Sequence, residues 1–402
     1  MASTTKETSA EQLVSADNSV GAPMVSFIVL CYKLAHLLPD CVRSILSQSY
    51  RDFEILIMDD CSPDNTAEVA TSFHDPRVTH VRNDRNLGVL GNQNEGIRVS
   101  RGKYVWIISA DDYLRRPYIL QRYVELMEKN PQVGYTFCSG VGVRDGQETG
   151  VLDYSKYRNR DGIIKGHVFL KRLLYGNNVL AASAMARREC YENISRFPLD
   201  VTWGGASIDM MWAADWYLWC LFAVSFDVAY FTEPMVCYRE HELSITSEVT
   251  QREKLDLCVA ADIAVPWLVR KRADEYGFKA LSKDCLRAVA YEYARHGGSK
   301  QYRGSTSNMS VNDFEKSLCR GTDNTKERKW IRARFYAAMG DRFYSTGNLT
   351  TAKKFYLDSL RNDPRMAEVY VKLFLSLGKP GVYLRGLLRT ARNRTNRSQG
   401  SQ

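Results

Sequence analysis

Short apolar runs alternate with helical patterns over the first half of the chain. The runs VSFIVLCY from Val25, FEILIMDD from Phe53 and KYVWIISADD from Lys103 are almost continuously apolar, as in strands buried on both faces. Between the first two, apolar residues recur every three or four positions from Leu38 to Leu46, which is typical of an amphipathic helix. This alternation predicts an α/β domain with a mostly parallel sheet flanked by helices.

Strand patterns give way to helical periodicity after about residue 250, which predicts an α-helical C-terminal region. The stretch GNLTTAKKFYLDSLRNDP resembles a tetratricopeptide helix pair. Small, apolar and proline residues fall at that repeat's positions, namely Gly347, Ala352, Phe355, Leu360 and Pro364. One helix pair cannot bury its own apolar face, so we expect it to pack on neighbouring helices.

The patterns predict four segments. Residues 1–22 have the composition of a disordered tail, 23–248 form the α/β domain, 249–380 form the helical region, and 381–402 form a basic polar tail. Two interpretations of the last segment stay open, a peripheral membrane contact and a solvated helix end. Its cations lie between leucines and polar residues: Arg385, Arg389, Arg392, Arg394 and Arg397.

Composition and charge narrow the class of protein. The chain has 402 residues and a formal net charge of +9, which favours acidic partners such as phosphates or anionic lipids. No zinc-finger or RNA-recognition pattern occurs, so we expect no nucleic-acid partner. The sequence has no secretory leader pattern and no apolar stretch long enough for a membrane span. With ten cysteines and no CxxC pair, these features predict a cytoplasmic protein, or one peripheral at the cytoplasmic membrane face.

Two acid pairs follow predicted strands. Asp59-Asp60 ends the second apolar run, and Asp111-Asp112 ends a later one. Ligands bind beyond the carboxyl ends of parallel strands, so both pairs are expected at one ligand-binding edge. Mg²⁺ and Mn²⁺ commonly use one or two carboxylates together with substrate phosphates. The pairs therefore predict Mn²⁺ or Mg²⁺ and a nucleotide-diphosphate ligand, whereas either pair alone could be a loop with a helix cap.

Residues 24–245 resemble the inverting GT-A glycosyltransferases of family 2. The opening block runs from VSFIVLCYKLAHLLPD to IMDDCSPDNT, and the middle block is NDRNLGVLGNQNEGIRVSRGKYVWIISADD. The resemblance implies a GT-A (Rossmann-like) fold and a metal-dependent hexosyltransferase. It further implies a nucleotide-diphosphate sugar donor, with UDP-sugars favoured, a saccharide or lipid-linked acceptor, and a role in bacterial polysaccharide or glycoconjugate synthesis.

The resemblance also implies roles for individual residues. Asp60 is expected to contact the nucleobase, with Asp59 shaping the pocket, while Asp111 faces the ribose or donor sugar. Asp112 is the expected metal ligand. The backbone that should line the nucleoside comprises Leu30, Cys31 and Tyr32. Two departures from the family pattern are Ser109, where many members carry another Asp, and Asn92-Gln93, which replaces a small-Arg pair.

Inverting transfer needs a general base that activates the acceptor hydroxyl. The stretch WAADWYLWCLFAV resembles the family's ED-type motif, which makes Asp215 the expected catalytic base. Ala214 replaces the usual Glu, and Asp209 is the alternative base. On the residues alone, Asp215 is more typical of an acid at a helix N-terminus, where the helix dipole favours it.

A further element, MVCYREHELSIT, resembles the family's Y-R-x-H-x-x-S sequence. It implies that His241 contacts the metal or the diphosphate and that Arg239 pairs with phosphate. Trp203 is a weaker candidate for stacking on an acceptor sugar, since core packing is the commoner use of tryptophan.

Three other functions are alternatives to a transferase. A nucleotidyltransferase usually shows a Gly-rich loop after its first strand, which LCYKLAHLLPD lacks. A phospho-receiver keeps an acid pair after its first strand, where this chain has CYK. A catalytically inactive GT-A-fold scaffold stays open because of Ala214 and Ser109.

Overall fold

The computed structural model describes residues 21–152, 160–192, 200–203, 206–211, 213–241, 252–275, 277–297, 315–316, 318–319 and 324–377. The chain divides into two compact units. The first unit is Met1–Val201 with Asp209–Cys258, and the second is Thr202–Ile208 with Val259–Gln402.

The described strands and helices follow the alternation that the sequence predicts. In chain order the strands are β1 (Val25–Cys31), β2 (Phe53–Asp59), β3 (Val78–Arg82), β4 (Tyr104–Ser109), β5 (Tyr113–Leu114), β6 (Val133–Arg144), β7 (Gln147–Leu152), β8 (Gly162–Ile164), β9 (Met185–Arg187), β10 (Asp200–Trp203), β11 (Ala206–Asp209) and β12 (Asp227–Arg239). The helices are α1 (Leu38–Leu46), α2 (Thr66–Thr71), α3 (Gly88–Val99), α4 (Ile119–Lys129), α5 (Gly166–Leu173), α6 (Arg188–Glu192), α7 (Ala214–Ser225), α8 (Arg252–Glu275), α9 (Lys279–Gly297), α10 (Thr325–Ser345), α11 (Leu349–Asn362) and α12 (Ala367–Leu375).

The main sheet has the strand order β3-β2-β1-β4-β9-β6-β12-β5, with β7 beside β6 and β8 beside β12. The half from β3 to β4 is parallel, and β6 is parallel to β12. Strand β9 runs antiparallel between β4 and β6, a reversal that the apolar pattern does not predict. The mostly parallel sheet with flanking helices is confirmed.

A stack of four aromatic rings fixes the core between β1, β4, α4 and β12. Phe27, Trp106, Tyr123 and Phe231 stack in that order, with ring centroids 5.2, 5.0 and 5.2 Å apart. The polar ends of two rings are satisfied, because the indole N–H of Trp106 donates to the Ala182 carbonyl and the Tyr123 hydroxyl donates to that of Ser183. Flat rings bury large apolar areas, so this stack joins β1 and β4 to α4 and β12.

The second unit contains a closely packed helix pair, α10 and α11. Gly340 lies against Tyr356, since a Cβ added at Gly340 would lie 2.5 Å from the tyrosine ring. At the other end of the pair the Ser359 hydroxyl donates to the Ala333 carbonyl at 2.7 Å. The turn between the helices contains Gly347 in the left-handed region, with φ +82°. The expected C-terminal helical region is present, although the glycine at the helix contact is Gly340.

In the part of the chain that the structure describes, no helix is both long enough and apolar enough to cross a membrane.

Candidate functional site

The acid pairs lie at one edge of the sheet because of the strand register. Leu30 in β1 is opposite Met58 in β2 on one side and Ser109 in β4 on the other. The loops that follow are tied to the same strand, since the Asp60 amide donates to the Cys31 carbonyl and the Ala110 amide donates to the Leu30 carbonyl. Both carboxylate pairs therefore begin at the carboxyl end of β1, the ligand-binding edge of such a sheet.

The Asp59 side chain is bound by other groups of the protein. Its carboxylate is fully buried and accepts hydrogen bonds from the Ser62 amide at 2.7 Å and from Arg82 at 2.5 Å, and it lies 3.2 Å from His80 Nε2. Burial opposes ionisation, but the bonds from His80, Ser62 and Arg82 outweigh it and lower the pKa of Asp59. With both oxygens engaged by the protein, Asp59 shapes the turn after β2.

Asp60 holds the loop between β3 and α3. One of its oxygens, Oδ1, accepts both from the Asn83 side-chain amide at 2.9 Å and from the Leu87 backbone amide at 2.8 Å. Asn83 also donates to Asn92, whose own amide donates to the Met58 carbonyl. Both hydrogen bonds to Asp60 use Oδ1, and neither uses Oδ2.

The residues after β1 present an exposed aromatic ring. Leu30 is half-buried and Cys31 is buried, whereas Tyr32 is 41% exposed. Lys33 follows with φ +59° and places its ammonium 5.1 Å from the Tyr32 ring centre. The Lys33 amide donates to Ser62, which joins this turn to the one after β2.

Four of the predicted residues come together around the second acid pair. Asp112 is 4% exposed, and its Oδ1 accepts from the Arg239 amide at 3.0 Å. The Asp111 Oδ2 lies 2.9 Å from Nε2 of His241. Strand β5 follows Asp112 directly and pairs with β12, which places Arg239 at the end of β12, and His241 just beyond it, beside the acids. Two segments 130 residues apart thus form one cluster.

The second acid pair carries an electrostatic strain that a cation would relieve. Burial, followed by the neighbouring Asp111 charge, raises the pKa of Asp112 well above its usual range. The Oδ1 atom of Asp111 is buried and accepts no hydrogen bond. A buried carboxylate oxygen without a partner is costly, and divalent cations prefer such hard oxygen ligands. Asp111 and Asp112 therefore fit a Mg²⁺ or Mn²⁺ ion.

The described residues contain no group of three or more His, Cys, Asp and Glu side chains arranged to hold a metal ion. Protein-only cages are not the usual mode for Mg²⁺, which keeps waters and uses one or two carboxylates with substrate phosphates. The observed pair suits a cation that arrives with a diphosphate.

Arg239 contacts both the acid cluster and α1. Its Nη2 donates to Asp40 at 2.6 Å, and its guanidinium lies 4.8 Å from the centre of the Tyr113 ring. Its Nη1 is buried and makes no hydrogen bond. An unpaired guanidinium nitrogen beside the acid pair is a suitable donor to a phosphate oxygen.

Asp215 lies in the first turn of α7, outside the acid cluster. Its Oδ2 accepts from the side-chain amide of Asn177 at 2.8 Å, and its Oδ1 accepts from the Trp216 amide at 2.7 Å. Asn177 is itself oriented, because its Oδ1 accepts from the Val179 amide. Burial raises the pKa of Asp215, and the bonds from Trp216 and Asn177 oppose that rise. A carboxylate with a raised pKa suits a general base.

Two predicted residues cannot be placed by their side chains. Asp209 ends β11 and Trp203 ends β10, but their side chains lie outside the described residues.

Part of the first unit matches a known protein family. Residues 26–185 match the family model described as glycosyl transferase family 2. This segment is a family 2 glycosyltransferase domain. It contains all but the first residue of β1, all of β2 to β8 and both acid pairs, and it ends at the first residue of β9. Asp215, Arg239 and His241 lie beyond its C-terminal boundary.

Curated relatives of the family 2 domain cover a limited part of the chain. Glycosyltransferase GlyG of Streptococcus pneumoniae serotype 4 is 33% identical over 112 residues, which are 27% of this chain and 37% of that protein. The Escherichia coli protein UDP-Glc:alpha-D-GlcNAc-diphosphoundecaprenol beta-1,3-glucosyltransferase WfaP is 32% identical over 90 residues, 22% of this chain and 36% of that protein. The chain thus spans about a third of the length of these relatives.

The fold comparison extends further along the chain. The crystal structure of S. aureus TarS 1–349 in complex with UDP-GlcNAc is similar with a TM-score of 0.53 and 14% identity, over 86% of this chain and 91% of that one. At this identity the similarity concerns the fold. The family 2 domain therefore has the GT-A fold.

Three residues of the site were missed by sequence reasoning. Asp40, Asn83 and Asn177 bind Arg239, Asp60 and Asp215 respectively. Asn83 follows the third predicted strand, and its position after a strand could have indicated it. Asp40 and Asn177 carry no such pattern.

Proposed function

We propose that this protein is a metal-dependent, inverting glycosyltransferase that moves a sugar from a nucleotide-diphosphate sugar to a hydroxyl group. The observation that carries the proposal is the cluster of Asp111, Asp112, Arg239 and His241 at the ligand-binding edge of a family 2 domain. A UDP-sugar is the favoured donor, in line with the name of WfaP. The acceptor is a saccharide or a lipid-linked saccharide in bacterial polysaccharide or glycoconjugate synthesis.

The chain's own residues account for donor binding. Asp60 is proposed to accept a hydrogen bond from the base through Oδ2, and the backbone of Leu30, Cys31 and Tyr32 to line the nucleoside. Asp112 and Asp111 would hold Mn²⁺ or Mg²⁺, with His241 orienting Asp111. When bound, the cation supplies positive charge that stabilises the diphosphate leaving group. Arg239 then donates to a phosphate oxygen from the nitrogen that has no partner in the protein.

Asp215 is proposed to take the proton from the acceptor hydroxyl as that oxygen attacks the anomeric carbon. The bond between the anomeric carbon and the diphosphate breaks on the opposite face, which inverts the configuration. Because its pKa is raised, the ionised carboxylate of Asp215 is a stronger base than an exposed aspartate. It becomes available as a base only when the pH exceeds that raised pKa.

The Asn177→Ala variant tests whether the hydrogen bond from Asn177 lowers the pKa of Asp215, the proposed base. Loss of the donated bond removes an interaction with the ionised carboxylate, so the pKa of Asp215 rises further. The base is then ionised only at higher pH, and the acid limb of the kcat/KM profile moves upward. At a fixed pH on the acid limb we expect a loss of about 10-fold in rate.

Asn178→Ala is the matched control, because that neighbouring amide donates to the Gly176 carbonyl instead. It should leave the pH profile in place. An unchanged pH profile in Asn177→Ala would show that Asn177 does not influence the pKa of Asp215.

Nucleotide titration calorimetry tests the proposed donor class. We expect UDP to bind in the presence of Mn²⁺ or Mg²⁺ and to bind much more weakly after chelation, because the diphosphate and the carboxylates repel each other without a cation. GDP and ADP are the comparison ligands. Metal-independent binding of all three, or no binding, would contradict the proposal and favour an inactive scaffold.

A cytoplasmic location is also proposed. The described cysteines are free and, except for half-buried Cys61, buried, as expected in a reducing compartment.

A further inference from the structure

Helix α12 is apolar on two sides. Val369 is fully buried and belongs to the core that α10 and α11 form. Tyr370, Val371, Phe374 and Leu377 are 49%, 56%, 50% and 47% exposed. Their spacing places them on one side of the helix and its C-terminal end. A helix that is apolar all round normally has a second partner.

The exposed side of the preceding helix is different. In α11 the exposed residues include Lys353, Lys354 and Arg361, with Leu357 as the large apolar exception. Charged side chains of this kind are what a solvated helix presents. The exposed apolar face therefore distinguishes α12 from α11.

The sequence after α12 supplies positive charge without any acid. From Ser376 to Gln402 there is no Asp or Glu. The segment contains six cations, Lys379, Arg385, Arg389, Arg392, Arg394 and Arg397. A segment that only packed on its own protein would usually mix the two signs of charge. An exposed apolar face followed by a purely cationic segment is complementary to an anionic lipid surface.

We propose that the exposed face of α12, which comprises Tyr370, Val371, Phe374 and Leu377, docks on an anionic phospholipid bilayer. The aromatic and aliphatic side chains enter the boundary between headgroups and acyl chains, where Tyr and Phe gain apolar burial. The sequence after α12, with six cations and no acid, favours an anionic over a neutral lipid surface through electrostatic attraction that acts within a Debye length. This surface does not depend on the transferase activity.

Vesicle sedimentation of the full chain tests this surface, with phosphatidylcholine vesicles that contain or lack phosphatidylglycerol. Wild type is expected to bind the anionic vesicles and to bind the neutral ones much less. Phe374→Asp should weaken binding by about 10-fold or more, because it replaces an apolar contact with a repelled charge. Phe278→Asp is the matched control, since Phe278 is 47% exposed in the same unit, and its binding should equal that of wild type.

Circular dichroism melts show whether Phe374→Asp is folded, and Leu377→Asp, just beyond α12, provides a second variant of the same face. Failure of wild type to bind anionic vesicles would overturn the proposal, as would full binding by both variants. Light scattering that shows an oligomer broken by Phe374→Asp would assign the face to a second copy instead. An efficient disulfide between Phe374→Cys and Leu387→Cys that persists on vesicles would assign it to the chain's own tail, and would equally overturn the proposal.

Discussion

Replacing Asp112 with asparagine is expected to abolish sugar transfer and, at the same time, to raise the melting temperature of the metal-free protein. Asp112 is 4% exposed and lies beside Asp111, and burial followed by that neighbouring charge raises its pKa. An amide has the same shape, still accepts from the Arg239 amide, and carries no charge to bury. We expect the transfer rate to fall by about 100-fold or more, because the cation loses its main ligand.

The sign of the stability effect follows from the direction of the pKa shift. A carboxyl whose pKa is raised on folding favours the folded state when protonated, at or below its ordinary pKa of 3.8. That contribution is lost as pH rises through the folded-state pKa, so burial of this carboxyl beside Asp111 destabilises the fold above that range. The asparagine variant lacks this penalty. Thermal melts with a chelator present, at about pH 4 and about pH 7, measure this penalty.

Asp59→Asn is the control for this prediction. The pKa of Asp59 is lowered by hydrogen bonds from His80, Ser62 and Arg82 that outweigh its burial, so its charge stabilises the fold above pH 3.8. This variant should therefore melt at a lower temperature, the opposite of Asp112→Asn. Wild-type transfer by Asp112→Asn would show that Asp112 does not hold the metal.

Replacing Asp215 with asparagine is expected to lower kcat by about 100-fold to 10,000-fold with little change in the KM for the donor. The amide oxygen of asparagine can still accept one of the two hydrogen bonds that Asp215 accepts, but the side chain cannot take a proton. In wild type the rate should rise with pH through the pKa of Asp215, which burial places above the ordinary 3.8. The residual activity of the variant should lack that limb.

Initial rates at saturating acceptor measure this effect, and the anomeric configuration of the product, read by nuclear magnetic resonance, checks inversion. Asp145→Asn, an exposed acid in the turn between β6 and β7, should behave as wild type. If Asp215→Asn retains full activity, the base is another residue, and Asp209 at the end of β11 is the next candidate.

The placement of the acid pairs could be predicted because it depends on chain direction alone. Continuous apolar strands require a parallel sheet, and parallel strands end at a common edge. Asp60 and Asp112 were therefore expected together, and the register of β1 with β2 and β4 places them so. The antiparallel insertion of β9 was not predictable, because a three-residue strand has too little sequence to carry a pattern.

The partners of the site residues depend on contacts between distant elements. Arg239 reaches Asp40 only because β5 brings β12 beside the acid pair, and no local pattern specifies that pairing. The link from Asn177 to Asp215 likewise joins the loop after α5 to the start of α7. The resemblance to family 2 enzymes named Arg239, His241 and Asp215, whereas the residues that orient them emerged only from the fold.

Nucleoside diphosphate release from a panel of UDP-, GDP- and ADP-sugars, with Mn²⁺ or Mg²⁺ and with a chelator, tests the transferase proposal most directly. We expect release of UDP from at least one UDP-sugar, and we expect this release to depend on the cation and to be lost in Asp112→Asn. Release that survives the chelator or the Asp112→Asn substitution would contradict the assigned metal site. No release from any donor would contradict the transferase and leave an inactive GT-A scaffold.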